Sequence, residues 1–123
     1  MLGRLHHVVV DCPAPLAEAR FWSELLGQPI TYESDDFVVV AESDTTSGMG
    51  FQLAGDHRPP TWPDPTVPQQ IHFDVMVDDV TAASEAVLEL GATRLAGADV
   101  FADPAGHPLC LVRRPGWAPP ISS

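Results

Sequence analysis

The sequence predicts an α+β fold made of two copies of one module, in which a strand and a helix are followed by three further strands. The evidence is a repeat of pattern, because strand-like and helix-like segments follow one another in the same order twice. Gly27 follows His7 by 20 positions and Gly91 follows His72 by 19, so strand and helix together have nearly the same length in both copies. A proline-rich segment at 56–68 separates the copies.

The helix of the first module is predicted by apolar residues that recur at helical spacing, namely Leu16, Ala19 and Trp22. Pro15 suits a first helical turn, since an N–H at that position would have no partner in the helix. Gly27 ends the helix. In chain order the predicted elements of this module, about 1–55, are a strand at 5–11, the helix at 15–26, and strands at 28–33, 37–42 and 49–54.

Five prolines fall within the thirteen residues 56–68. Proline lacks the N–H that a helix or a strand ladder needs, so this segment is predicted to be an extended connector without either element. Trp62 lies among these prolines. An aromatic side chain on a stiff loop favours one of two roles, a lid over a cavity or a contact in a dimer interface, and the sequence leaves both open.

The second module repeats the order of the first. Asp79 can cap its helix, and Gly91 stops it. The residues Asp-Pro-Ala-Gly at 103–106 predict a turn before the last strand. The predicted elements of this module, about 69–114, are a strand at 69–77, the helix at 80–90, short strands at 93–96 and 99–101 and a last strand at 107–113, followed by a loose tail at 115–123.

The formal net charge of −11 works against nucleic acid and anionic membranes as partners, because both attract Lys and Arg. No apolar run approaches the length of a membrane helix. Met1–Arg4 leads directly into a strand-like run, so no signal peptide is expected. A cytoplasmic location is therefore the default, and Cys12 and Cys110 are expected to be reduced thiols.

Side chains alternate between the two faces of a strand, and this alternation sorts the polar residues. In the fifth and last strands the apolar side chains share the face on which a helix can pack, so the polar ones lie on the second face. The first strand is ambiguous, because both of its faces mix valine with histidine. Buried polar groups need partners, so we expect the second face to line a ligand pocket. Its candidate residues are Gln52, His72, Asp74 and Cys110, and also His7 on one of the two assignments of the first strand.

Four stretches carry a family resemblance: LHHVVVDCPAP…FWSELLG, FQLAGDHRPPTWPDP, QQIHFDVMVDDV…AVLELGA and VFADPAGHPLCLV. The chain resembles the glyoxalase-like subgroup of the vicinal oxygen chelate superfamily, which includes glyoxalases, bleomycin resistance proteins and dioxygenases. The resemblance covers almost the whole chain. It implies a single domain at 1–123, whose two modules form a curved, barrel-like mixed sheet around a shared cavity, with the helices on the outside. It also implies a homodimer.

In metal-dependent members the ligands lie on four strands, and the resemblance carries these positions onto His7, Gln52, His72 and Cys110. The two histidines match the enzyme pattern, whereas Gln52 and Cys110 stand where carboxylates are usual. Two imidazoles and a thiolate would suit a divalent ion such as Zn, Ni or Fe. The missing carboxylates favour a cavity without a metal.

Three function hypotheses follow. The first is a small-molecule-binding protein of unassigned specificity, and the missing carboxylates favour it. Its ligand contacts are expected from Gln52, Trp62, His72, Asp74 and Cys110. The alternative is a metal-dependent isomerase, lyase or dioxygenase with His7 and His72 as ligands. The third is a metal-free enzyme that uses Cys110 or Asp74, of which Asp74 is the candidate acid or base.

Overall fold

Two modules of the same topology make up the chain, one in each of its two units. The structure is a computed structural model that describes residues Met1–Ile121. Met1–His57 form the first unit, and the second unit begins at Arg58. Each unit holds a strand, a helix and three further strands in that order, so the predicted α+β class and the predicted pair of βαβββ modules are confirmed.

The first unit consists of β1 (Val8–Cys12), α1 (Pro15–Leu26), β2 (Ile30–Glu33), β3 (Phe37–Ala41) and β4 (Gly48–Leu53). Its strands form one mixed sheet in the order β1-β4-β3-β2. β1 runs parallel to β4, and the other neighbours are antiparallel. This sheet does not close on itself, because β1 and β2 are its edges.

The first helix has the bounds that its sequence predicts. Pro15 occupies the first helical position, and Gly27 ends the helix with a φ of 64°, in the left-handed region that glycine adopts without strain. The buried side of α1 carries Phe21 and Trp22, whose rings meet edge to face with centroids 5.6 Å apart. α1 packs on β3 and β4, so one face of the first sheet is covered by a helix.

The register of the first sheet resolves the ambiguity of its first strand. Val10 pairs with Phe51, which pairs in turn with Val38, and all three side chains are buried. Val9 lies on the opposite face of β1 and is 46% exposed. Because alternation puts His7 on the same side as Val9, the sheet presents His7 away from the helix-covered core.

The second unit consists of β5 (Phe73–Val77), α2 (Val80–Glu89), β6 (Thr93–Arg94), β7 (Val100–Ala102) and β8 (Pro108–Arg113). Its sheet has the order β5-β8-β7-β6, with β5 parallel to β8 and the other neighbours antiparallel. This sheet is also open, with β5 and β6 at its edges. Each unit therefore has the same strand order.

The second helix begins with the cap that its sequence predicts. A side-chain oxygen of Asp79 accepts a hydrogen bond from the backbone N–H of Ala82 at 3.0 Å, which satisfies one of the free donors of the first turn. The core of this unit includes Val87 of α2 with Phe101 and Leu109 of the sheet, all buried. The predicted apolar face of the last strand is thus the core face.

Both first strands are shorter than predicted, and they start just after the two histidines. The ladder between β5 and β8 begins at Phe73 and Leu109. The next pair would place His72 beside Pro108, which has no N–H to donate. In the first unit, the backbone N–H of Gly48 binds the ring of His7. His7 and His72 therefore lie at strand entries and not within strands.

The proline-rich segment has neither helix nor strand, as predicted, but it is folded into turns and not extended. The backbone N–H of Thr61 donates to the carbonyl of Val67 at 2.8 Å, and the N–H of Thr66 donates to the Asp64 carboxylate at 2.8 Å. These bonds close the loop on itself. Proline has no backbone N–H, so the segment has few donors, and the two named here find their acceptors within it.

The segment predicted as a loose tail is held in its described part. Asp78 accepts hydrogen bonds from Arg114 and from the backbone N–H of Ile121, and Arg114 also donates to the carbonyl of Ala118 at 2.6 Å. Residues 122–123 of the predicted tail lie outside the described residues. Neither helix of Met1–Ile121 is long and apolar enough to cross a membrane.

Candidate functional site

The face of the first sheet opposite α1 carries an open groove of about 1020 Å³. Its base is apolar and aromatic, and its rim is formed by hydroxyl, carboxylate and imidazole side chains. This combination of an apolar floor with a few polar groups is typical of small-molecule sites. We call it the first-sheet groove, and its main lining is His7, Val9, Tyr32, Phe37, Val39 and the loop 44–47.

Gly50 allows the floor of the groove to form. A Cβ at this position would lie 2.6 Å from the Phe37 ring and 3.3 Å from a methyl group of Val9. The ring of Phe37 therefore lies across β4 in the space that a side chain would need. Tyr32 stands beside it on the neighbouring strand, with ring centroids 6.3 Å apart, and is 56% exposed. Together the two rings form a platform for an apolar or aromatic ligand.

The turn before β3 positions Phe37. The backbone N–H of Ser34 donates to the carbonyl of Phe37 at 2.9 Å, and the N–H of Phe37 donates to the Ser34 hydroxyl at 3.1 Å. The same hydroxyl donates to the Asp36 carboxylate at 2.9 Å. The hairpin turn between β2 and β3 is therefore closed, and it sets both an aromatic ring and a carboxylate at the groove.

His7 is fixed at the groove by the backbone of β4. The N–H of Gly48 donates to Nδ1 of His7 at 3.0 Å. Because Nδ1 accepts this bond, the neutral ring carries its proton on Nε2. The His6 ring lies against it, with centroids 3.8 Å apart and planes 30° apart, and its Nδ1 is 3.4 Å from the hydroxyl of Ser47.

Two carboxylates, Asp36 and Asp44, belong to the lining, and both are exposed. Among the described residues that line the groove, none is Lys or Arg. These two carboxylates would repel a negatively charged ligand, so the charges of the lining favour a ligand without negative charge.

Gln52, a predicted site residue, lies on the groove face of β4, where it pairs with Phe37 on one side and Asp11 on the other. It is exposed. It does not contribute to the groove lining itself. Its role in ligand contact stays a prediction.

The second sheet brings together the other predicted polar residues. Asp74 pairs directly with Cys110 in the parallel register of β5 and β8. Nε2 of His72 lies 3.9 Å from a carboxylate oxygen of Asp74, which makes an ion pair when the ring is protonated. Both of these side chains are more than half exposed. Three chemistry-bearing residues thus share one face, as alternation predicts.

The Cys110 thiol is held in its neutral form. Burial raises the pKa of this thiol, and the negative charge of Asp74 raises it further. The thiolate is the form that attacks electrophiles, so this environment makes Cys110 a weak nucleophile, and a metal would have to displace its proton to bind it.

Trp62 is half-buried, and its indole N–H donates to the backbone carbonyl of Ala96 at 3.0 Å. The folded proline loop is therefore attached to the turn after β6. This contact gives Trp62 a structural role within the second unit. Whether it also covers a cavity or joins a dimer interface stays a prediction.

The donor atoms do not fit a divalent metal. His7 cannot offer Nε2 to a metal while Gly48 donates to Nδ1, because a neutral imidazole has only one unprotonated nitrogen. Cys110 is a disfavoured thiolate, and Gln52 supplies only a neutral amide oxygen. Within Met1–Ile121 no group of three or more His, Cys, Asp or Glu side chains is arranged to hold a metal ion.

Sequence reasoning missed the aromatic and glycine residues that build the groove. A signal for them exists in β3, where Phe37 and Val39 on one face alternate with Val38 and Val40 on the other. A strand that is apolar on both faces indicates that both faces contact something. Gly50 in the adjacent strand marks a close approach of another group.

Comparison with known proteins gives the following matches. A family model described as a glyoxalase-like domain matches residues 7–112. A search of curated proteins finds no significant match to the sequence.

Solved structures share the fold at low sequence identity. A glyoxalase-related enzyme from Fulvimarina pelagi superposes with a TM-score of 0.67 at 18% identity, covering 95% of this chain and 92% of that one. The oxidase ChaP-H2 gives a TM-score of 0.59 at 24% identity, with coverages of 94% and 96%. A bleomycin-binding protein from Streptomyces verticillus, solved with copper(II)-bleomycin, gives 0.55 at 17% identity, with coverages of 94% and 100%.

Proposed function

Because the chain belongs to the glyoxalase-like domain family of the vicinal oxygen chelate superfamily, we propose that it binds a small organic molecule in the first-sheet groove. The observation that carries the proposal is the groove itself, in which the Phe37 ring lies over Gly50 of β4 with Tyr32 beside it. Its volume of about 1020 Å³ is at the upper end of the range for drug-sized ligands. The Streptomyces verticillus neighbour binds copper(II)-bleomycin, so this fold can serve binding without a chemical step.

Binding is a better fit than metal-dependent catalysis. An isomerase, lyase or dioxygenase of this superfamily would need His7 and His72 as metal ligands, and the hydrogen bond from Gly48 uses the nitrogen lone pair of His7. Carboxylates usually stand at the positions of Gln52 and Cys110, and the neutral thiol of Cys110, whose pKa is raised, does not supply their negative charge. The proposal therefore includes no metal cofactor.

The proposed partner is a neutral or positively charged small molecule and not nucleic acid, since the chain has a net charge of −11. A homodimer and a cytoplasmic location remain predictions from the sequence. Sedimentation of the purified protein at several concentrations measures its oligomeric state directly.

A fragment screen tests the proposed site. We expect protein-observed ¹H–¹⁵N NMR to find aromatic hits that shift the backbone amides of Val9, Tyr32 and Val39. Tyr32→Ala removes half of the aromatic platform at an exposed position, so it should weaken these hits by about fivefold, as expected for an aromatic contact of about 1 kcal/mol.

Glu33→Ala, at the next residue of the same strand, is the matched control and should leave the affinities unchanged. Hits that map to another surface, or a loss of affinity that is equal in both variants, would contradict the site. Because aromatic fragments probe the platform itself, the screen decides the location of the site even when the natural ligand is not among them.

A further inference from the structure

We infer that His7 is a fixed hydrogen-bond donor that recognises a carbonyl oxygen on an uncharged aromatic ligand. The inference rests on the proposed binding function of the first-sheet groove and names the class of molecule that fits it. It assigns to His7 the opposite chemistry from a metal ligand, because a donor nitrogen holds a proton where a ligand nitrogen offers a lone pair.

The first step is the protonation state of the ring. The N–H of Gly48 approaches Nδ1 at 3.0 Å, and only an unprotonated nitrogen can accept it. The neutral ring must then carry its proton on Nε2. Gly48 is the first residue of β4 and pairs with Ala41 of β3, and Met49 after it pairs with both β1 and β3, so the backbone that carries the donor is held by the sheet.

The second step is the position of the remaining donor. His7 lines the groove and is half-buried. Its Nδ1 is occupied, so Nε2–H is the polar group that the ring can present to a ligand. A donor that is already oriented costs less entropy on binding than a mobile one.

The third step is the character of the ligand around this donor. The floor offers the rings of Tyr32 and Phe37, which favour a flat aromatic body. A single N–H donor pairs with an oxygen acceptor. Asp36 and Asp44 belong to the groove lining, which includes no Lys or Arg, so a carboxylate or phosphate on the ligand would be repelled. A carbonyl oxygen is a strong acceptor that carries no negative charge, and it can lie in the plane of an aromatic body.

The tautomer of His7 can be measured without any ligand. Long-range ¹H–¹⁵N NMR of the histidine rings at pH 8 distinguishes the two neutral forms by their nitrogen shifts. We expect His7 to have a protonated Nε2 and an unprotonated Nδ1, and we expect no change when zinc is added. A ring protonated on Nδ1, or a stoichiometric shift of its signals with zinc, would overturn the inference.

Two probes of similar shape test recognition. Chromone and naphthalene both have two fused six-membered rings, but only chromone carries a carbonyl. Amide titrations should show both probes at Val9, Tyr32 and Val39, with chromone binding more tightly. Chromone-2-carboxylate should bind more weakly than chromone because of the two carboxylates of the groove.

His7→Asn separates the two roles of the ring. The Asn side-chain oxygen can still accept from Gly48, but no donor remains at the Nε2 position. We expect the affinity for chromone to fall about three- to tenfold more than the affinity for naphthalene, because only chromone loses a hydrogen bond, whereas both probes lose the same contact with the ring. His6→Asn is the comparison variant: the His6 ring also lines the groove but receives no backbone N–H, so any loss of affinity should be the same for both probes and their ratio should stay unchanged.

The outcomes distinguish a wrong binding site from a wrong role of His7. If neither probe shifts the groove amides, both the proposed site and the inference are wrong. If both probes bind there with equal affinity and His7→Asn has no effect, the site stands and the donor role is wrong. Should His7→Asn fail to fold, the tautomer measurement on the unaltered protein still decides, and His7→Gln offers a second variant with an amide N–H near the Nε2 position.

Discussion

The ring of Phe37 and the missing side chain of Gly50 form one structural feature. The ring occupies the space above β4 where a Cβ would stand, at 2.6 Å from its Cζ atom. A contact this short cannot exist, so any larger residue must push the ring out of the groove. Phe37 is only half-buried, so the ring has room to move toward solvent.

Gly50→Ala should therefore damage the groove more than the fold. We expect a loss of about 1–3 kcal/mol in the free energy of unfolding, as for other overpacked sites, together with loss of aromatic hits in the groove. Urea denaturation measures the first and amide titration the second. Gly55→Ala is the control, because a Cβ there meets nothing within 4 Å. Equal effects of the two substitutions would contradict this account of Gly50.

Individual residues also show how far sequence reasoning reaches. Alternation along a strand placed His72, Asp74 and Cys110 on one face, and the register of β5 and β8 confirms this for Asp74 and Cys110. Alternation could not show that a backbone N–H from β4 would bind the ring of His7, because that contact joins residues 41 positions apart. The chemistry of a histidine depends on such contacts, so its residue type alone left the metal question open.

At the level of helices and strands, the bounds of the first helix were predicted more reliably than the starts of β1 and β5. Pro15 and Gly27 give α1 its predicted bounds, because both residues act through their own backbone geometry. The starts of β1 and β5 were wrong by three and four residues, since a strand begins where its partner offers a ladder. Pro108 withholds a donor from β5, and that effect lies in another segment of the chain.

The start of α1 offers a stabilising substitution. Its N-cap residue is Ala14, which is exposed and makes no side-chain hydrogen bond to the first turn. Ala14→Ser should raise the free energy of unfolding by about 1 kcal/mol, because the hydroxyl can accept from a free backbone N–H. Ala17→Ser, inside the same helix and also exposed, should lower it slightly. Thermal or urea unfolding compares the two, and a gain from both would show that capping is not the cause.

The contact between Asp78 and Arg114 makes the end of the described chain sensitive to acid. The hydrogen bond from Arg114 lowers the pKa of the Asp78 carboxyl below its ordinary value of 3.8. A carboxyl whose pKa is lowered by folding contributes stability above its unfolded pKa, and this contribution is lost as the pH falls through the folded one. The segment around Ile121, whose N–H binds Asp78, should therefore remain attached at pH 5 and detach only as the pH falls below 3.8 and through the lowered pKa of Asp78.

Hydrogen exchange of the Ile121 amide measures this attachment. We expect Asp78→Asn to speed exchange of the Ile121 amide at pH 5, because the neutral Asn side chain cannot form the ion pair with Arg114. Asp56→Asn, an exposed carboxylate of the first unit, should leave the rate unchanged. Slow exchange in Asp78→Asn would show that Ala118 and its neighbours hold the segment without the carboxylate.

For the chain as a whole, the same topology carries two different polar faces. The strand order of the first unit is repeated in the second, and this was predictable because glycine stops and apolar periodicity recur at nearly equal spacing. The contents of the faces differ. The first carries an aromatic groove beside one fixed histidine, and the second carries His72 with Asp74 and Cys110. The repeated sequence pattern therefore predicts the shared topology, but it does not predict the side chains on the second face of each sheet, and those decide the chemistry.

Metal content tests this view on the intact protein. A metal that binds only the folded state at a hundred times its Kd would add about 2.7 kcal/mol, so its removal would lower the Tm by roughly 5 °C or more. We expect a chelator to leave the Tm unchanged, because neither His7 nor Cys110 offers a ready lone pair. Elemental analysis of protein purified without a chelator or a histidine tag should likewise find less than one metal per chain. Stoichiometric zinc, nickel or iron that disappears in His72→Ala, together with a Tm that falls on chelation, would instead restore the metal-dependent hypothesis.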